Sequence, residues 1–200
     1  MTKIKLCGLT RLCDIEWVNE LRPEYIGFVF FSKSIRNVSF DKAKKLRQSL
    51  DKDITSVGVF VNEKMENIEY LVKNSIIDMV QLHGNEDNEY IKQLKSKVLC
   101  PIIQAFRIKT EADINRAGKS GADYIMLDSG GGTGESFNHK LIKGIKREFF
   151  LAGGLDSKNV QKAITNCRPY AVDASSSLET DGVKDRAKMA EFVRTVRNGG

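Results

Sequence analysis

The 200-residue chain holds little that could staple a fold together. It has four cysteines, Cys7, Cys13, Cys100 and Cys167, with no CxxC pair, and two histidines, His83 and His139, neither at metal-ligand spacing from a cysteine. A structural zinc site is therefore excluded, and a chain this long buries a core without disulfides, so all four cysteines read as thiols. Proline is scarce, with three residues, while 41% of the chain is hydrophobic, which rules out intrinsic disorder and collagen-like repetition. No apolar run approaches the roughly 18 residues that a transmembrane helix needs. The start, Met1 to Cys7, reads as a short strand and not a signal peptide, so the expected location is the cytoplasm. The surplus of positive charge, 32 Lys and Arg against 26 Asp and Glu, is spread along the chain with no basic block and no aromatic interleaving. That points to a phosphorylated small molecule as partner, with no nucleic acid and no membrane. Monomer and homodimer both stay open.

What is present is a rhythm. Eight short apolar runs bounded by turn residues occur at Ile4 to Cys7, Tyr25 to Phe30, Ser56 to Phe60, Met79 to Leu82, Ile102 to Phe106, Tyr124 to Leu127, Phe149 to Ala152 and Tyr170 to Val172. Between them lie helix-period segments with start signals: Asp41 to Leu46 after Ser39, Met65 to Val72 after Asn62, Ala112 to Ala117 after Thr110, and Asn159 to Ile164 after Asp156. Continuous apolar strands such as Tyr25 to Phe30 suit a parallel sheet buried on both faces by helical crossovers. The expected fold is a small α/β protein with a single (β/α)8 TIM-barrel domain over residues 1–200. An open doubly wound sheet is the rival, but eight evenly spaced units favour closure. The chain is short for a barrel, so some helices should be short or irregular, above all between the fifth and sixth strands.

In such a barrel the carboxyl ends of the strands carry the chemistry. Cys7 ends the first strand and Asp128 the sixth, nearly opposite, and a thiolate facing a carboxylic acid across a cleft can take a proton from one substrate atom and give one to another. Each also has a bland reading, as a small buried hydrophobe and as a loop cap. Gly153 and Gly154 end the seventh strand, and Ser175 and Ser176 follow Asp173 after the eighth, where backbone N–H groups can close on a phosphate. Arg36, in the loop after the second strand, has the planar fork that grips a carboxylate. Gln81 and His83 at the end of the fourth strand, Arg107 at the fifth and Asp173 at the eighth are further candidates to face substrate. The run Gly130 to Gly134 lacks the lysine of a P-loop and does not follow the first strand, so ATP and NAD are discarded. It reads as a pliable stretch beside Asp128.

Taken together these strand ends resemble the phosphoribosylanthranilate isomerase family of tryptophan biosynthesis. The resemblance runs the full length, from Lys5-Leu6-Cys7-Gly8-Leu9-Thr10-Arg11 through Gly27 to Phe30 with Ser34-Ile35-Arg36, Val57 to Asn62, Val80 to Gly84 and Gln104 to Arg107. It continues in Leu127-Asp128 with Gly131 to Gly134, Leu151 to Leu155 and Val172 to Ser176. It implies an Amadori rearrangement without cofactor or metal, with Cys7 as general base and Asp128 as general acid. Arg36 would sit on the anthranilate carboxylate, and Gly153, Gly154, Ser175 and Ser176 on the phosphate. Two departures stand out: Ser177-Leu178-Glu179 where Gly-Val-Glu is usual, and Asn138-His139 where Asp-Trp is usual. The rivals are the related sugar isomerase of histidine biosynthesis, which uses an aspartate at the first strand and is longer, a bifunctional enzyme, and a phosphate-ligand binder without turnover.

Overall fold

Because the apolar runs are continuous and, among the described residues, helices follow seven of the eight, the strands gain cover on both faces, and closing the ring leaves no edge to expose. The computed structural model describes residues 1–129, 142 and 145–199. In it, eight parallel strands close into a barrel in sequence order: β1 (Lys3–Cys7), β2 (Tyr25–Phe30), β3 (Thr55–Phe60), β4 (Met79–Leu82), β5 (Ile102–Arg107), β6 (Tyr124–Asp128), β7 (Phe149–Ala152) and β8 (Ala171–Ala174). The ring closes where β8 pairs with β1, with Lys5 beside Asp173 in register. The helices among the described residues are α1 (Leu12–Leu21), α2 (Phe40–Ser49), α3 (Met65–Lys73), α4 (Asn88–Lys95), α5 (Glu111–Gly118), α6 (Val160–Cys167) and α7 (Arg186–Asn198). After β8 the chain makes a 3-10 turn (Ser176–Leu178) and a small hairpin of β9 (Glu179–Thr180) and β10 (Val183–Lys184).

The strand period of two sorts the apolar residues into two cores. Ile4, Leu6, Ile26, Phe28, Leu127 and Leu151 face outward and are buried with helix residues such as Ile15, Val18, Leu46, Leu71, Leu94 and Phe192. Tyr25, Val57, Met79, Ile103, Met126 and Phe150 form a separate cluster that fills the barrel. Its lower end is closed by aromatic rings: Tyr25 meets Phe150 edge-on at 5.3 Å, and Tyr124 stacks on Tyr170 at 5.2 Å. The same alternation aims Lys5 and Cys7, Gln81, Asp128 and Asp173 inward, at or near the upper end.

Local signals account for most helix starts. The Ser39 hydroxyl accepts from the Lys42 N–H, and Thr110 with Asp113 makes a reciprocal capping box. Asn62 departs from expectation. Its backbone is left-handed (φ 51°), its side-chain oxygen accepts from the Asn85 N–H at 2.8 Å, and α3 begins only at Met65. Shortness is not confined to the helix between β5 and β6, since α4, α5 and α6 each have 8 residues. The eighth strand runs two residues beyond its apolar run, taking in Asp173 and Ala174. The run Gly130 to Gly134 and Asn138-His139 lie outside the described residues. No helix among the described residues is long and apolar enough to cross a membrane.

Phe150 is fully buried inside the barrel and touches three other rings. Phe150→Ala should lower the unfolding free energy by about 3–5 kcal/mol, read as a fall in the urea midpoint. A loss under about 1 kcal/mol would mean that the barrel interior is not packed as described.

Candidate active site

Cys7 is the last residue of β1 and only 7% exposed, so its thiol lies deeper than a position on the barrel rim. Its neighbour in register on β2 is Gly27, and a Cβ added there would come within 2.6 Å of Cys7 Sγ. The bare glycine is what leaves room for the sulfur. Burial pushes the Cys7 thiol up and Asp173 adds to the rise, while Lys5 and Lys184 offset only part of it, so the thiol stays above its ordinary value. Lys5 is fully buried and donates to Asp173 Oδ1 at 2.7 Å. Burial disfavours its charge, but Asp173 and Cys7 more than compensate and hold the Lys5 ammonium above its ordinary value.

Asp128 ends β6 and is partly exposed. Its Oδ2 lies 3.5 Å from His83 Nε2, and its Oδ1 borders the space above Gly153. Gln81 lies behind His83, its amide nitrogen 2.9 Å from His83 Nδ1 and 3.3 Å from Met126 Sδ. Gln81 Oε1 is buried with no hydrogen-bond partner among the described residues. An orphaned buried carbonyl is costly, and a ligand atom is one way to satisfy it.

Arg36 is not a loose loop arginine. Its Nε and Nη2 donate to the two carboxylate oxygens of Glu179 on β9, each at 2.6 Å. Lys184 on β10 donates to the same carboxylate and, at 3.1 Å, to the Ser175 carbonyl. Burial alone would raise the Glu179 carboxyl, yet Arg36 and Lys184 hold it below the ordinary glutamate range. Burial pushes Lys184 down despite its carboxylate partner. The guanidinium keeps its Nη1/Nη2 edge, since only the Nε/Nη2 edge is bonded to Glu179. Lys184 and Glu179 were absent from the residues singled out in the sequence. The only signal was Glu179 within the Ser177-Leu178-Glu179 departure.

The loops after β7 and β8 come together. Gly153 (φ 104°) and Gly154 (φ 64°) hold left-handed conformations open to few other residues, and at Gly153 a Cβ would lie 2.1 Å from Ser129 Oγ. Ser175 Oγ donates to the Cys7 carbonyl at 3.0 Å, linking the eighth strand end to the first. The Ser177 hydroxyl donates to the Leu155 carbonyl, so this departure from the family pattern adds a tie between the two loops. A groove of about 1230 Å³ runs from His83 and Asp128 outward past Arg107, Asn115 and Ser120, and Cys7 does not line it.

A thiol, a carboxylate, an arginine fork and two glycine–serine loops at the carboxyl ends of one parallel barrel define a (β/α)8-barrel enzyme that acts on a small molecule. The family model for N-(5'-phosphoribosyl)anthranilate (PRA) isomerase matches residues 4–195, and the chain belongs to that family. An N-(5'-phosphoribosyl)anthranilate isomerase from Endomicrobium trichonymphae is 43% identical, covering 99% of this chain and 100% of the relative. The enzyme of the same name from Thermoanaerobacter sp. (strain X514) is 42% identical, with 98% of each chain covered. The crystal structure of phosphoribosyl anthranilate isomerase from Thermotoga maritima superposes with a TM-score of 0.91 at 34% identity, over 99% of this chain and 100% of that one. A second solved phosphoribosyl anthranilate isomerase, in complex with reduced 1-(o-carboxyphenylamino)-1-deoxyribulose 5-phosphate, has a TM-score of 0.89 at 34% identity, over 99% and 100% of the two chains.

The lowered Glu179 carboxyl sets an acid limit. Its folded value lies below its unfolded one, so its stabilisation is complete above the ordinary glutamate range of about 4.3 and is lost as pH falls through the depressed value. Glu179→Gln should therefore flatten the fall in thermal midpoint between about pH 5 and pH 3, and an unchanged slope would remove Glu179 from the acid transition.

Proposed function

We propose that the protein converts N-(5'-phosphoribosyl)anthranilate into 1-(2-carboxyphenylamino)-1-deoxyribulose 5-phosphate by acid–base catalysis between Asp128 and Cys7. The observation that carries this reading is the inward-facing thiol of Cys7 on β1 and the carboxylate of Asp128 on β6, at the same end of one barrel in a chain of this family. Asp128 donates a proton to the ribose ring oxygen. The C1'–O bond breaks as the anthranilate nitrogen lone pair forms a protonated Schiff base at C1'. The Cys7 thiolate removes the C2' proton, and those electrons become the C1'–C2' double bond of an enolamine while the nitrogen recovers its lone pair. Protonation at C1' and loss of the C2' hydroxyl proton give the ketone. C1' is reduced and C2' oxidised within one molecule.

Binding at both ends aligns C2' between acid and base. Arg36 holds the anthranilate carboxylate on its Nη1/Nη2 edge, with Glu179 fixing the other edge so that the fork does not rotate away. The backbone N–H groups of Gly153, Gly154, Ser175 and Ser176 hold the phosphate, supported by the left-handed glycines and by the closeness of the two loops. Gln81 presents its unpaired Oε1 to substrate beside His83, and Asp173 bounds the base from below. The partner we assign is a phosphorylated small molecule and not nucleic acid, because the positive charge is dispersed. We place its work in the cytoplasm, where cysteine thiols stay reduced.

The test is to add purified protein, without metal or nucleotide, to phosphoribosylanthranilate formed in place and to follow loss of anthranilate-type fluorescence. Cys7→Ala and Asp128→Asn should each lower kcat by about 100-fold or more with KM nearly unchanged, because each removes a proton-transfer group. Full activity in a folded Cys7→Ala protein would overturn the base assignment, and near-normal turnover by Asp128→Asn would move the acid elsewhere. Arg36→Met should act mainly on KM, raising it about 10-fold or more. A KM equal to that of the parent would remove the carboxylate grip.

A further inference from the structure

Lys5 is a buried charge inside the barrel that this mechanism leaves without a task. Lys5 is fully enclosed, two residues below Cys7 on the same inward face of β1, and its ammonium donates to Asp173 on the neighbouring strand at 2.7 Å. A buried lysine–carboxylate pair is a weak source of stability, since an apolar pair of similar volume often serves as well or better. What distinguishes this pair is its place. One point above Gly27, where a side chain would otherwise begin, lies 2.6 Å from Cys7 Sγ and 3.2 Å from Lys5 Nζ. The absent side chain lets ammonium and sulfur share that space, within the ~4–6 Å over which an opposite charge favours an ionised group.

We propose that Lys5 is the positioning cation of Cys7: its ammonium, oriented by Asp173 and brought beside the sulfur across bare Gly27, is the fixed counter-charge that lets the thiol ionise inside the barrel. This rests on the reading that Cys7 is the base. The charged groups that face the sulfur come from four places: Lys5 on its own strand, Asp173 on β8, Lys184 on β10 and Arg36 in the loop after β2. Lys184 and Arg36 are both bonded to Glu179, so their charge is partly spent outside the barrel. Lys5 alone among these cations is completely buried and borders the same space above Gly27 as the sulfur. Water screens such an interaction little at this depth, which makes one charge decisive.

The experiment reads the sulfur without substrate. Protein carrying [3-13C]cysteine is titrated by NMR, and the Cys7 Cβ resonance is assigned by its loss in Cys7→Ser. Lys5→Gln keeps a donor to Asp173 but removes the charge, and should raise the Cys7 midpoint by a pH unit or more. Its kcat at pH 7.5 should fall about 10-fold, with KM little changed and activity recovering as pH rises. Asp173→Asn removes the carboxylate and should move the midpoint the opposite way, downward. A pair with only a packing role would give no such opposed shifts. Midpoints that stay put in both variants, or move together, overturn the proposal. If Lys5→Gln does not fold, Asp173→Asn decides alone, and a midpoint there at or above the parent's overturns it. Failure of the parent protein to turn over phosphoribosylanthranilate would sink the isomerase reading and leave this titration intact.

Discussion

Closure of eight parallel strands is the constraint on which everything else hangs. A ring of this size has an interior just wide enough for side chains to fill, so every second residue of every strand must either pack there or line the mouth. The lower layers are apolar and aromatic, with Tyr25, Met79, Ile103, Met126 and Phe150 filling the space. The same inward positions, continued upward, become Cys7, Gln81, Asp128 and Asp173. Catalytic candidates and core plug are therefore one alternating pattern read at two heights, and a slip of one residue in any strand would turn both inside out.

The upper end is then organised by a few ties between distant segments. Arg36, Glu179 and Lys184 join the loop after β2 to the hairpin after β8, and Ser175 bonds back to the Cys7 carbonyl. These contacts fix the Arg36 guanidinium relative to the loops after β7 and β8. Ion pairs of this kind gain most when they are partly buried and bidentate, as Arg36 and Glu179 are. Lys5 with Asp173 repeats the device one layer deeper, beside the sulfur.

Much of this was legible in the chain. Apolar runs bounded by turns located all eight strands because burial on both faces leaves an unbroken hydrophobic signature, and Ser39 and Thr110 announced their helices through capping chemistry. Cys7 and Asp128 stand out as candidates because polar residues at strand ends contrast with what precedes them, and Arg36 because a guanidinium in the loop after β2 has the fork that grips a carboxylate. Lys5 does not. A lysine two residues into a strand reads as solvent-facing, and its partner is 168 residues away, paired only because the ring closes. Glu179 stayed hidden for the same reason, since its bond to Arg36 crosses 143 residues. The apolar run of the eighth strand stops before Asp173, although the backbone ladder continues through it. Asn62 misled as a helix start because an asparagine suits a left-handed loop as well as a cap.

The positions of the substrate's two anionic ends decide whether Cys7 and Asp128 can do this chemistry. A crystal structure of this protein with reduced 1-(o-carboxyphenylamino)-1-deoxyribulose 5-phosphate measures that directly. The expected result is the phosphate on the backbone of Gly153, Gly154, Ser175 and Ser176, the carboxylate on the Nη1/Nη2 edge of Arg36, and C2' within reach of Cys7 Sγ. A ligand lying instead in the groove between α4 and α5, with its phosphate on Arg107 or Arg116 and Cys7 untouched, would contradict it.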